Sequence, residues 1–317
     1  MTRPNFIIAG ERRSGTTTLT NYLQSHPDVF LHPKLDMAYF VDDQAKGSKD
    51  KLKGKIDSSI WKTNHSNKEY CNLFSESIGK KAVGEKSADY LFWTESHRRI
   101  KEYLPSIKLI ITLRNPVNRA WSQYLNELGK EREKLSFERA LEMESERIAN
   151  NDYARNHLSY LSRGFYVNSL ELLYKTFNKG QVHIVILENL IANPVIELKK
   201  VYEFLEVTPS MGLEKAGMKF NKNWTTFQLP IVRNNSFLSK TELFLTKVQR
   251  KLLSKIIKDK YNRKQFSLKL ESIYRLTADK LVMPVDTEKM LYERFERSII
   301  DLETLLDIDL SIWKPKC

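Results

Sequence analysis

The stretch that decides the fold is FIIAGERRSGTTTLTNYL, residues 6 to 23. Phe6 to Ala9 is a short apolar run rich in branched residues, which is typical of a buried β-strand. Further along, Leu19, Tyr22 and Leu23 recur at the spacing of one helix face. The sequence therefore predicts a strand, a glycine-flanked loop and a helix, in that order.

The loop itself reads GERRSGTT and has the features of a phosphate site. Gly10 and Gly15 have the spacing of an ATP-binding P-loop, but Thr16 stands where that motif requires Lys. Arg12 and Arg13 supply positive charge instead, and a helix N-terminus follows to receive an anion. We interpret the loop as a site for a phosphorylated ligand other than a triphosphate.

A second strand-turn-helix unit follows about 100 residues later. Residues 108–113 read KLIITL, and Asn115 followed by Pro116 predicts a capped helix start. Arg114 falls at the carboxyl end of this strand, where open α/β sheets bind their ligands. An ATPase needs a metal-binding acid in such a place, so an arginine favours binding of an anion without a metal. Ser122, two helical turns further on, is expected to donate a hydroxyl on the same side.

Strands and helices alternate along the first two thirds of the chain. A further strand is predicted at residues 181–187 and a helix at residues 194–205. Residues 130–156 mix Lys, Glu and Arg in a helical pattern and are expected to form a solvated face. This alternation indicates a parallel sheet with crossover helices, and from about residue 236 the pattern is nearly all helical.

Composition limits the functional classes. The 317 residues carry 52 Lys and Arg against 39 Asp and Glu, a net charge of +13 that suits an anionic ligand or surface. Cys71 and Cys317 are too few for a disulfide framework, which favours a reducing compartment. The histidines show no metal-binding spacing, and no stretch is long and apolar enough for a membrane helix. We expect a cytoplasmic protein with no structural metal and no membrane insertion.

Several ordered motifs resemble the sulfotransferases that use 3′-phosphoadenosine 5′-phosphosulfate (PAPS). RSGTT (Arg13–Thr17) is similar to their 5′-phosphosulfate loop and RNPVNRAWS (Arg114–Ser122) to their 3′-phosphate site. EKSADYL (Glu85–Leu91) resembles a segment of the heparan sulfate N- and 3-O-sulfotransferases, whose later order RGFY (Arg163–Tyr166) also follows. DIDLSIW, residues 307–313, resembles the terminal helix of bacterial sulfotransferase-domain proteins.

The resemblance implies a P-loop NTPase-like fold. We expect a single α/β domain over residues 1–317, with a central, roughly five-stranded parallel sheet flanked by helices. Its core would occupy about residues 4–210. A cofactor-covering loop and a helical C-terminal region would occupy about residues 211–317.

The resemblance also implies PAPS as sulfuryl donor, adenosine 3′,5′-bisphosphate as product, and no metal. Arg13, Thr16 and Thr17 would hold the 5′-phosphosulfate, and Arg114 with Ser122 would hold the 3′-phosphate. The predicted donor-binding residues are Arg12, Arg13, Ser14, Gly15, Thr16, Thr17, Thr18, Arg114, Ser122, Gly164, Tyr166, Lys222 and Arg233.

Three residues are predicted to take part in catalysis. Heparan-type relatives have a Glu in a K-E-x-x-F-F segment, and the corresponding stretch here, LDMAYF, has Asp36 at that position. Asp36 is the candidate general base, with His32 as the alternative. Lys86 and Arg13 would stabilise charge on the transferring group and the departing phosphate. Glu85 is expected to orient its neighbours rather than carry protons.

The predicted reaction is transfer of a sulfuryl group to a hydroxyl or amine of a small molecule or glycan. One alternative is a P-loop small-molecule kinase, disfavoured by the missing Lys after Gly15 and by Arg114. Another is a non-enzymatic polyanion-binding protein, motivated by the net charge. That alternative gives no reason for the loop and EKS motifs, so no nucleic-acid partner is expected.

Overall fold

A five-stranded parallel sheet forms the centre of the protein. The computed structural model describes residues 3–33, 36–41, 67–130, 132–149, 151–218 and 281–315. The strands are β1 (Phe6–Gly10), β2 (Val29–Leu31), β3 (Ala82–Lys86), β4 (Lys108–Leu113) and β5 (Val182–Ile186).

The strand order is β2-β3-β1-β4-β5, so β1 lies at the centre between β3 and β4. Ile8 of β1 is in register with Lys86 on one side and Ile110 on the other. Because all neighbours are parallel, the carboxyl ends of the strands lie at one edge of the sheet. The glycine loop, Arg114, Lys86 and the segment that contains Asp36 all follow or end these strands. The predicted α/β fold with a five-stranded parallel sheet is confirmed.

The helices that flank the sheet agree with most of the predicted positions. Gly15 precedes the first helix, Asn115 and Pro116 begin the fourth, and Asn115 Oδ1 accepts from Val117 N at 2.9 Å. The helices are α1 (Thr16–Leu23), α2 (Asn67–Asn72), α3 (Glu95–Tyr103), α4 (Pro116–Gly129), α5 (Phe137–Glu142), α6 (Glu144–Ala149), α7 (Asp152–His157), α8 (Tyr166–Thr176), α9 (Leu187–Ala192), α10 (Pro194–Phe204) and α11 (Val285–Leu306).

Both faces of the sheet are buried. Ile7 of β1 packs into one apolar cluster and Ile8 into the other, because successive strand residues point to opposite faces. The C-terminal helix α11 covers the first face with Leu291, Phe295 and Ile299, which recur at i, i+4 and i+8. Helix α11, a described part of the predicted helical C-terminal region, is thereby attached to the same core as the strands.

Two sequence expectations are wrong in this part of the fold. Residues 130–156 are not simply a solvated face, because Glu133 and Glu144 are buried at 1% and 2% exposure. The Glu144 carboxylate accepts hydrogen bonds from the backbone N–H groups of Leu161 and Ser162, so it is bound within the protein instead of facing solvent. The DIDLSIW stretch ends in a single 3-10 turn, Ser311–Trp313, instead of a terminal helix. The indole of Trp313 is buried in the core and donates to Glu188 Oε2 at 2.9 Å.

Among the residues that the structure describes, no helix has the length and apolar composition required to cross a membrane.

Candidate active site

The loop after β1 has the shape of an anion cradle. Gly15 has φ of 88°, a left-handed conformation that favours glycine, and no side chain caps α1. A Cβ added at Gly15 would clash with Leu187 Cδ1, in the residue that follows β5. A larger residue here would be strained in its backbone and would also displace Leu187. The first-turn N–H groups of α1 have no intrahelical acceptors and face the end of the sheet.

Arg13 and Ser122 are in direct contact. Arg13 Nε donates a hydrogen bond to Ser122 Oγ at 3.0 Å, and Arg114 Nη1 donates to the Arg13 carbonyl at 3.2 Å. Tyr166 is buried and donates its hydroxyl to the Arg114 carbonyl at 2.8 Å. The structure thus brings four of the predicted donor-binding residues into one cluster.

This cluster is positively charged, and the carboxylates nearby, Glu127 and Glu188, offset only part of that charge. Burial and the neighbouring Arg114 lower the pKa of the Arg13 guanidinium to about 10. Burial also lowers the pKa of Arg114, and Arg119 adds to the effect. Within the described part of the chain, no carboxylate forms an ion pair with Arg13 or Arg114. Half-buried like charges that lack an ion-pair partner repel each other, and an anion would relieve that repulsion.

Arg12 makes different contacts from Arg13. Its guanidinium forms an ion pair with Asp89 at 2.5 Å and donates to the Asn156 carbonyl at 2.8 Å. Arg163 completes this network by donating to Glu11 Oε1 at 2.6 Å and to Asp89 Oδ1 at 2.8 Å. The side chain of Arg12 therefore fixes the base of the loop rather than extending into the cluster around Arg13.

Sequence reasoning missed the structural role of Arg163 and Asp89. Both lie inside the quoted motifs RGFY and EKSADYL, yet nothing local in those motifs shows that they meet. The pairing of β3 with β1 brings Asp89 next to the loop after β1, and Arg163, in a 3-10 turn before α8, contacts both Glu11 and Asp89 there.

The remaining predicted residues of this region divide into two groups. Ser14 and Thr16 are buried, whereas Thr17 and Thr18 are half-buried at the start of α1. Gly164 does allow a close approach, but the neighbour is Phe295 of α11. An added Cβ would lie 2.6 Å from Phe295 Cζ. Gly164 therefore leaves room for the Phe295 ring to pack against the backbone.

A second group of predicted residues lies where β2 and β3 end. Lys86 Nζ forms an ion pair with Asp36 Oδ2 at 2.8 Å, and Ala88 N donates to Asp36 Oδ1 at 3.1 Å. The Lys86 side chain is only 4% exposed, whereas that of Asp36 is 39% exposed. The structure thus pairs the predicted base with the predicted point charge and leaves the carboxylate accessible. His32, the alternative base, packs its ring edge-on against Phe74 at 5.9 Å.

Lys222 and Arg233 lie outside the described residues. In the described ranges, no group of three or more His, Cys, Asp or Glu side chains could hold a metal ion.

Comparison with known proteins identifies the family. Residues 4–210, about two thirds of the chain, match the profile of the sulfotransferase family. The chain belongs to this family. Over 99% of its length this sulfotransferase is also similar to the crystal structure of a sulfotransferase from Alicyclobacillus acidocaldarius. That similarity covers 100% of the bacterial chain, with a TM-score of 0.70 and 25% identity.

Three curated relatives match different lengths of this sulfotransferase. The heparan sulfate glucosamine 3-O-sulfotransferase 5 of Mus musculus is 26% identical over 89% of the chain and 74% of its own length. The membrane-associated sulfotransferase kil1 of Dictyostelium discoideum is 35% identical over 38% of the chain. The match spans only 22% of kil1, and 46% of the 3-O-sulfotransferase 3B1 of Mus musculus.

Proposed function

We propose that this sulfotransferase transfers a sulfuryl group from PAPS to a hydroxyl or amine, and releases adenosine 3′,5′-bisphosphate. The observation that carries the proposal is the contact between Arg13, Arg114 and Ser122, a half-buried cationic cluster with no ion-paired carboxylate among the described residues. Membership of the family supports the sulfuryl chemistry. The lowered pKa of Arg13 supports an anionic ligand.

The residues at the sheet edge fit such a donor. When bound, PAPS supplies an activated sulfuryl group on its 5′-phosphate. In our proposal Arg13, Thr16, Thr17 and the first-turn N–H groups of α1 bind the 5′ end. Arg114 and Ser122 bind the 3′-phosphate. Because Arg13 contacts Ser122 directly, the two ends of the site are coupled through this pair.

The remaining predicted donor contacts divide by position. In our proposal Ser14, Gly15 and Thr18 contact the donor from the loop after β1 and the first turn of α1. Lys222 and Arg233, expected to close over the donor, stay predictions from the sequence.

Asp36 and Lys86 supply the acid-base part of the proposal. An attacking hydroxyl or amine must lose a proton, and Asp36 has an accessible carboxylate that accepts it. Lys86 fixes that carboxylate at 2.8 Å and places positive charge near the reacting group. Ala88 N holds the second oxygen, so the carboxylate keeps one orientation.

The proposed acceptor is a glycan or a small molecule. Several similar proteins are named for heparan sulfate glucosamine, which supports a glycan acceptor, and a small-molecule acceptor is the alternative. The cytoplasmic location expected from the two cysteines, and action without a metal, stay predictions.

The proposal is tested in two steps. Adenosine 3′,5′-bisphosphate at about 100 times its Kd is expected to stabilise the folded protein by about 2.7 kcal/mol, and ATP with Mg²⁺ is not. Transfer of radiolabelled sulfuryl from PAPS is then measured on a panel of heparan sulfate, an amino sugar, a phenol and an amine. Stabilisation by ATP with Mg²⁺ alone would favour the kinase instead.

A further inference from the structure

Glu85 is the centre of a buried hydrogen-bond cluster next to the Asp36–Lys86 pair. Its carboxylate is 0% exposed and accepts three hydroxyl groups. Tyr70 and Tyr90 donate to Oε1 at 2.9 and 3.0 Å, and Ser87 donates to Oε2 at 3.1 Å. Such a cluster has a high cost of burial, which its three hydrogen bonds offset.

Two of these donors also hold the segment that contains Asp36. Ser87 Oγ accepts the backbone N–H of Ala38 at 2.9 Å, and Tyr90 Oη accepts that of Phe40 at 3.5 Å. The third donor, Tyr70, stacks its ring on Tyr39 with 4.3 Å between centroids. Every hydroxyl that binds Glu85 therefore belongs to a residue in contact with residues 38–40.

The direction of these hydrogen bonds depends on Glu85. An ionised carboxylate only accepts, so it orients the protons of Ser87 and Tyr90 toward itself. Their oxygen lone pairs are then free to accept from Ala38 and Phe40. A group that also donates would compete for the same lone pairs and leave a hydroxyl proton without an acceptor.

The held segment has an unfavourable backbone conformation. Asp36 and Ala38 have φ of 56° and 52°, in the left-handed region that costs a non-glycine residue about 1 to 2 kcal/mol. Such conformations persist only where the surroundings determine them. The hydrogen bonds that Ser87 and Tyr90 accept from the backbone of this segment contribute to this constraint, together with Asp36 N donating to the Lys86 carbonyl at 2.8 Å.

We propose that Glu85 is a positioning residue: through Ser87 and Tyr90 it holds the Asp36 segment in the conformation that keeps the Asp36 carboxylate against Lys86. The role in turnover rests on the proposed function, because it assumes that Asp36 accepts the proton of the acceptor. The role in ordering the segment does not. The two parts therefore need separate measurements.

The first measurement is hydrogen exchange of the peptide that contains residues 36–41, in wild type, Glu85→Gln and Ser87→Ala. Burial raises the pKa of Glu85 to about 7, so the experiment is done at pH 8, where its carboxylate is mostly ionised. Exchange is expected to be at least about tenfold faster in both variants. The matched control is Ser77→Ala, a buried serine whose hydroxyl donates to the Phe74 carbonyl at 2.6 Å instead.

The second measurement is turnover with the best acceptor of the panel, together with the Kd for adenosine 3′,5′-bisphosphate. Both test variants are expected to lower kcat by about 10- to 100-fold, because small misplacement of a reacting group is costly. The Kd should stay within about twofold and the control should match wild type. Unchanged exchange in the test variants, or an equal loss of kcat in Ser77→Ala, would overturn the positioning role. If wild type transfers no sulfuryl group, the proposed function fails, and hydrogen exchange still decides whether Glu85 holds the segment.

Discussion

Arg13 Nε donates a hydrogen bond to Ser122 Oγ at 3.0 Å, although 109 positions separate the two residues in the sequence. The contact joins the loop after β1 to the helix after β4, and these strands are neighbours in the sheet. Arg114 strengthens the connection by donating to the Arg13 carbonyl at 3.2 Å. The two phosphate sites predicted from separate motifs are thus in direct contact at the sheet edge.

Ser122→Ala is expected to weaken binding of adenosine 3′,5′-bisphosphate about tenfold. The variant removes a hydroxyl that contacts Arg13 and is proposed to contact the 3′-phosphate, and hydrogen bonds to charged groups contribute about 1.5 to 3 kcal/mol. Isothermal titration calorimetry gives the Kd. Ser25→Ala, which removes a hydroxyl bonded only to the Asn21 carbonyl on α1, is the control and should bind as wild type. Equal affinity of the two variants would contradict the prediction.

Arg114→Ala is expected to weaken the same binding roughly 10- to 100-fold, because it removes a half-buried charge that is proposed to bind the 3′-phosphate. Arg98→Ala is the matched control, since Arg98 is exposed and pairs with Glu102 one helical turn away. Titrations at two salt concentrations should show a smaller salt dependence for Arg114→Ala than for wild type. A larger loss in Arg98→Ala would mean that general surface charge, and not this site, binds the nucleotide.

Asp36→Asn is expected to lower kcat by about 10²- to 10⁴-fold, the range for loss of a general base. Binding of adenosine 3′,5′-bisphosphate should change little, because Asp36 contacts Lys86 and Ala88 rather than the Arg13 cluster. Asp28→Asn tests the loss of a carboxylate that pairs with Lys81 at 3.5 Å, and turnover should be unchanged. Full activity of Asp36→Asn would return the role of base to another group such as His32.

Arg163→Met is expected to lower the free energy of unfolding by about 3 to 5 kcal/mol. The variant leaves Glu11 buried without an ion pair and Asp89 paired with Arg12 alone, and broken buried ion pairs have this cost. Arg139→Ala removes an exposed pair with Glu142 and should change stability by less than about 0.5 kcal/mol. Urea denaturation measures both variants, and a similar small change in each would show that the Arg163 network is not essential for the fold.

The difference in stability between wild type and Glu85→Gln should depend on pH. Burial raises the pKa of Glu85 from 4.5 to about 7, so the folded protein holds a proton that the unfolded chain releases between these values. Wild type is therefore expected to lose stability relative to Glu85→Gln as pH rises through this window, by at most about 1.4 kcal/mol per unit. Among the described residues, the titratable groups that act on Glu85 are Tyr70 and Tyr90, through hydrogen bonds, and Asp36, through its charge.

Urea denaturation at pH 5 and pH 7.5 gives this difference. Groups that titrate equally in both proteins cancel in the comparison. A constant difference between the two pH values would contradict the raised pKa.

Parts of the fold and site could be predicted because their signals are local. The helix start at Asn115 and Pro116 is an example, since the cap bond joins Asn115 to Val117, two residues away. β2 has no such signal, because a strand of three residues is too short to show an alternation of apolar and polar residues. The burial of Glu133 and Glu144 was also missed, since their partners lie elsewhere in the chain and composition alone suggests a solvated face.

Residue types alone predicted the strand, loop and helix over residues 6–23, the cation at Arg114 and the resemblance to sulfotransferases. The elements follow from residue types close together in the chain, and the resemblance follows from the order of several short motifs. Only the tertiary structure decided that Arg13 contacts Ser122, that Arg12 is held by Asp89, and that Glu85 supports the Asp36 segment. The physical reason is the strand order: it sets which loops meet at the sheet edge, and no local pattern encodes it.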